Sequence, residues 1–139
     1  MKRRIFALRE DDVKKILSAD HVEKLKANER APRNKLLIRL LIVTGLRVAE
    51  LADLRVEDID FQEAAIYVWS GKGQKQRTVL VDPETLEILR EFCQGRDRKD
   101  PLIGLRPRRI QVIVKQYAIA AGVKWAEYVS PHRLRDTFA

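Results

Sequence analysis

The sequence predicts an α+β fold, mainly helical, with one small three-stranded antiparallel sheet around residues 58–81. Two observations carry that expectation. Apolar residues recur at helical spacing on both sides of the segment, in the nearly all-apolar run KLLIRLLIVTG, in RVAELADL and in IQVIVKQYAIAAG. Between them, DIDFQEAAIYVWSGKGQKQRTVLVD turns to β-branched and aromatic residues around a glycine-containing turn. At 139 residues the chain has the length of a single domain, 1–139, and can bury a core without disulfide staples.

Taken in order, Asp11–Leu17 places Val13, Ile16 and Leu17 on one helical face. Residues 21–33 are polar and charged, and read as a short helix or a loop ending at Pro32. A buried helix then runs from Asn34 to near Gly45, where glycine permits a break. Arg47–Leu54 follows with Val48, Leu51 and Leu54 in register. Ile66–Trp69 and Thr78–Val81 are the clearest strands, separated by the turn chemistry of Ser70–Gly73. Asp82 suits an N-cap, Pro83 the first helical position, and Leu86, Leu89 and Phe92 an inward face. After a charged connector at 94–100, Arg106–Arg109 leads into a helix that stops at Gly122. Ser130 and Pro131 open a last helix, with Leu134 and Phe138 four apart.

The charge balance narrows the function classes. With 28 Lys and Arg against 20 Asp and Glu, the net charge is +8, the electrostatic signature of a nucleic-acid binder. A soluble basic protein without such a partner would show the same balance. One cysteine, Cys93, allows neither an intrachain disulfide nor a metal–cysteine cluster. Two histidines without clustered acids argue against a metal site. No signal peptide or membrane-spanning run is present, so the expected place is the cytoplasm, with the DNA of the nucleoid.

Four basic constellations stand above bulk charge. In TGLRVAEL, Arg47 opens a helix and Glu50 lies one turn on, where it could orient that arginine; an ordinary surface ion pair has the same spacing. In SGKGQKQR, Lys72 lies between glycines at a hairpin tip, followed by Lys75 and Arg77; a solubilising turn would look alike. Arg108, Arg109 and Lys115 gather at a helix start as candidate phosphate contacts, or as a solvated face. In PHRLRD, His132 and Arg135 are three apart on one helical face, as a proton acceptor and a phosphate fork or as a cap and a surface charge. These residue types suit one job together. Arginine forks neutralise a phosphodiester in its more charged transition state, a lysine protonates a leaving oxygen, and a histidine accepts a nucleophile's proton. No metal or cofactor is called for.

TGLRVAELADLRVEDID, SGKGQKQRTVLV and PHRLRDTFA, in this order, resemble the catalytic domain of tyrosine recombinases, which include phage integrases and the Xer proteins. The resemblance covers nearly the whole chain. It implies the fold of that catalytic domain and site-specific recombination of double-stranded DNA through a 3′-phosphotyrosyl intermediate. It also implies other recombinase protomers as partners, four on two duplexes. By position in the motifs, Arg47 and Arg135 would clamp the phosphate, Lys72 would be the general acid with Lys75 as substitute, and His132 the acid/base residue. Glu50 would support the first arginine, and Lys75, Arg77, Arg108, Arg109 and Lys115 would contact DNA.

The sequence departs from the family after the last motif. There the family carries a further His or Trp and then its nucleophilic tyrosine, and none of Tyr67, Tyr117 and Tyr128 stands in that place. The family's core-binding domain is likewise expected to be missing or to lie outside this sequence. The chain is therefore expected to be part of a catalytic domain that binds DNA and does not cleave it alone, with Leu134 and Phe138 exposing apolar surface that favours self-association. The alternatives are a nucleophile-less DNA-binding module that partners a full-length recombinase, and a basic helical protein unrelated to recombination.

Overall fold

A computed structural model describes residues 31–69 and 73–122. The expected first helix, the whole of the expected last one with His132, Leu134, Arg135 and Phe138, and Lys72 and Tyr128 lie outside the described residues.

Helix α1, Ala31–Thr44, forms the centre. Leu36, Leu37, Ile38, Leu40, Leu41 and Ile42 are all at most 1% exposed. A helix apolar all round has to be enclosed, and α1 is packed against α2 (Val48–Asp53), α3 (Pro83–Cys93) and α4 (Pro107–Ala120). It begins three residues before the expected Asn34. Pro32 sits in its first turn, where the missing N–H costs no helical hydrogen bond. The half-buried Arg39 donates from Nε to Thr85 Oγ1 at 2.8 Å and pairs with Glu84 at 3.1 Å, tying α1 to α3.

The fold is α+β and mainly helical, with one three-stranded antiparallel sheet in the order β1–β2–β3, as the sequence predicts. A short 3-10 helix, Val56–Asp58, leads into β1, Ile59–Asp60; β2 is Ala65–Trp69 and β3 Lys75–Leu80. Strand β3 starts three residues earlier than expected, so Lys75 and Arg77 belong to the strand and only residues 70–74 remain for the tip. Ile66 and Val68 are buried against the core, with Ile59 and the partly buried Val79. Val68 pairs with Arg77 and Trp69 with Lys75, the register shifting between these pairs. Such a bulge increases the local twist. The N-cap expected at Asp82 is present: its Oδ2 accepts the Thr85 N–H at 3.0 Å. Helix α4 ends where expected, Gly122 taking a φ of +69° that side-chain-bearing residues disfavour.

Candidate functional site

Arg47 stands on a corner built by its neighbours. Thr44 closes α1 with its hydroxyl on the Leu40 carbonyl, and accepts the Leu46 N–H at 3.2 Å. Gly45 turns the chain with a φ of +70°, and Leu46 is fully buried. A buried plug followed by an exposed arginine fixes the backbone and leaves the guanidinium facing solvent. Arg47 is also the N-cap residue of α2, so its N–H needs a partner, and Glu50 Oε1 accepts it at 2.8 Å.

Glu50 does more than the i, i+3 spacing foretells. Its side chain is only 11% exposed, and an ionised carboxylate so enclosed requires compensation. The compensation comes from β3. Arg77 Nη1 donates to Oε2 at 2.5 Å and Nη2 to Oε1 at 2.8 Å, a two-pronged pair across 27 residues of sequence. Burial pushes the Glu50 carboxyl up, but the Arg77 hydrogen bond, the Arg47 N–H and the two arginine charges outweigh it and hold the carboxyl below its ordinary value. The guanidinium that Glu50 holds is thus Arg77's, while Arg47 is held through its backbone. Among the described residues no carboxylate forms an ion pair with the Arg47 guanidinium.

The register explains why Arg77 turns inward. Paired residues in a sheet share a face, and Arg77 is opposite the buried Val68. Lys75, opposite Trp69, is exposed, and its ammonium lies 5.4 Å from the centre of the Tyr67 ring. Arg108, Arg109 and Lys115 are exposed on α4, which packs on the α2 that Arg47 opens. The structure therefore joins Arg47, Glu50 and Arg77 directly and places Lys75 on the same hairpin as Arg77.

Two further acids hold the hairpin. Asp58, 8% exposed, accepts the Arg55 N–H at 2.8 Å and the Trp69 indole N–H at 2.8 Å. Asp60 accepts the Tyr67 hydroxyl at 2.6 Å. That bond, foremost, pushes the Tyr67 hydroxyl pKa up. Sequence reasoning passed over both acids. The signal was present in VEDID, where two acids at strand spacing precede a strand with Tyr67 and Trp69 at the same spacing. Tyr117, in turn, is 1% exposed in the core, where burial raises its hydroxyl pKa. A cavity between α1 and α3, of about 510 Å³, is lined by residues such as Lys35, Leu36, Arg39 and Phe92 and by none of the candidate site residues.

Residues 7–139 match the model of the phage integrase family. The chain is 33% identical over 143 residues to the tyrosine recombinase XerA of Pyrococcus furiosus, covering 96% of this chain and 46% of that one. The crystal structure of XerA recombinase matches with a TM-score of 0.75 at 27% identity, over 95% of this chain and 48% of that one. The Tn1549 transposon integrase, solved in complex with a circular intermediate DNA, shares the fold with a TM-score of 0.68 at 19% identity, over 95% of this chain and 51% of that one. The chain spans about half the length of the curated relatives it matches.

Proposed function

Because the chain belongs to the phage integrase family, we propose that it supplies the phosphate-binding half of a site-specific DNA recombinase of the Xer type. The observation that carries this reading is the corner at Arg47: an exposed guanidinium on a backbone locked by Leu46, Gly45 and Glu50. An arginine whose backbone is already held has only its side chain left to order on a phosphodiester, and its charge counts most in the transition state, where the phosphate gains negative charge.

In this reading Arg47 and Arg135 neutralise the scissile phosphate of duplex DNA. A tyrosine oxygen attacks phosphorus, forming the 3′-phosphotyrosyl bond as the bond to the 5′-oxygen breaks. Lys72 gives that oxygen its proton, and His132 takes the proton of the tyrosine hydroxyl. Lys75, Arg108, Arg109 and Lys115 contact the DNA backbone. The return attack by a 5′-hydroxyl reverses these roles.

Neither described tyrosine is placed to attack. The Tyr67 hydroxyl is engaged by Asp60, and Tyr117 is buried. This favours a second role for the chain by itself, a DNA-binding module whose nucleophile comes from another segment or another protomer. Native and denaturing gels of the chain with a nicked duplex of about 30 base pairs test both. The expected result is retardation at low salt without a covalent adduct. Lack of retardation at low salt would overturn the DNA-binding reading, and an adduct on this chain would overturn the assignment of its tyrosines.

A further inference from the structure

Among the described residues, the charged pair that bridges the helical layer and the sheet is Glu50 with Arg77. A second polar bond, Trp69 Nε1 to Asp58 Oδ1 at 2.8 Å, reaches from the other hairpin strand. Both acids belong to the segment 50–58, which starts at the Arg47 corner. Both partners sit at the tip end of the hairpin: Trp69 closes β2, and Arg77 faces Val68 next to the bulge. The two bonds therefore grip the hairpin just below residues 70–74. We infer that Arg77 is a positioning residue and not a DNA contact: with Glu50 it latches strand β3 to the backbone that carries Arg47, so that β3 and the Arg47 corner keep one mutual geometry.

Three observations separate this role from phosphate binding. Both Arg77 donor nitrogens that reach Glu50 are committed to its two carboxylate oxygens. The pair lies on the core face of the sheet, opposite Val68, whereas Lys75 is exposed beside Tyr67. The carboxylate that takes Arg77 is the same one that takes the Arg47 N–H, so a movement of β3 is felt at the corner. The latch itself is independent of what the chain binds. Only its consequence for a phosphate bound at the Arg47 corner rests on the recombinase reading.

The test uses the 139-residue chain with Arg77→Ala, Arg77→Lys, Glu50→Gln and the reversal Glu50→Arg/Arg77→Glu. Amide hydrogen exchange is followed at Lys75–Leu80 and at Arg47, and binding to a 30-base-pair duplex is followed across a salt series. The latch predicts that exchange in β3 speeds up by about tenfold in Arg77→Ala and in Glu50→Gln, with partial protection in Arg77→Lys. It predicts faster exchange at the Arg47 amide in Glu50→Gln as well. The reversal should recover part of the β3 protection. The slope of log affinity against log salt should stay that of the wild type in Arg77→Ala, because no phosphate contact is lost. A slope reduced by about one unit in Arg77→Ala, with β3 exchange unchanged, would overturn the proposal in favour of a direct phosphate contact. Unchanged β3 exchange in all four variants would overturn it as well. Should the chain bind no duplex at all, the recombinase reading fails and the exchange data still decide the latch. If Arg77→Ala does not fold, Arg77→Lys and the reversal carry the same comparison.

Discussion

Glu50 Oε1 accepts two hydrogen bonds at 2.8 Å, one from the Arg47 backbone N–H and one from Arg77 Nη2, and so binds the start of α2 to strand β3. One carboxylate thereby satisfies an orphan helix-start donor and a half-buried guanidinium. Removing it exposes both needs together. Glu50→Ala should lower the unfolding free energy by about 1–3 kcal/mol, the range for stranding partly buried hydrogen-bonding groups. Urea denaturation of the two proteins measures it, and a loss near zero would mean that solvent replaces the carboxylate freely.

The same carboxyl makes the stability pH-dependent. Burial raises its pKa, but the Arg77 bond, the Arg47 N–H and the arginine charges together lower it below the ordinary 4.5. A group more acidic in the folded state contributes its stabilisation in full above its unfolded value, and loses it as pH falls through the folded value. The stability gap between the wild type and Glu50→Gln should therefore be constant above pH 4.5 and narrow below it. Parallel urea titrations in that window check the sign; a gap that widens on acidification would contradict it.

Gly45 is the hinge of the Arg47 corner, with a φ of +70°. Nothing lies within 4 Å of the place a Cβ would take, so the cost of Gly45→Ala is conformational and not steric. It should be about 1–2 kcal/mol, the penalty of a left-handed conformation for a residue with a Cβ. Thermal unfolding reads the cost. If the corner also sets the direction of Arg47, duplex affinity should fall while the salt slope holds.

Trp69→Phe removes the indole N–H from Asp58 and leaves an acid of 8% exposure one donor short. The expected loss is about 1–3 kcal/mol. Trp69→Tyr, whose hydroxyl cannot occupy the same position, should not rescue it. Chemical denaturation of both variants distinguishes a lost hydrogen bond from lost ring area.

Asp82→Ala deletes the N-cap of α3 and weakens the half-buried Arg39 cluster with Glu84 and Thr85. A loss of about 1 kcal/mol is expected, with Asp82→Asn nearer the wild type because asparagine also caps. Circular dichroism during urea unfolding reports it.

The parts legible in the sequence were those set by local chemistry. The apolar run of α1, the Asp82–Pro83 start of α3, the Gly122 stop of α4 and the β-rich stretch each act within a few residues, and each lies where the pattern puts it. The start of β3 was less legible. Its first residues, Lys75 to Arg77, are polar, and only pairing with Val68 and Trp69 makes them strand. Only one of the two partners of Glu50 was legible. Arg47 at i, i+3 is a partner through its backbone N–H, and only the register that turns Arg77 toward the core supplies the guanidinium, 27 residues away. Asp58 and Asp60 were missed for the same reason: their ligands, Trp69 and Tyr67, arrive through sheet pairing.

The most direct measurement is the salt dependence of duplex DNA binding by the wild type, by Arg47→Ala and by Lys99→Ala, an exposed cation of the connector before α4. A phosphate held by Arg47 predicts weaker binding and a salt slope reduced by about one unit in Arg47→Ala, with Lys99→Ala close to the wild type. Equal effects of the two substitutions, or no duplex binding by the wild type at low salt, would contradict a phosphate site at the Arg47 corner.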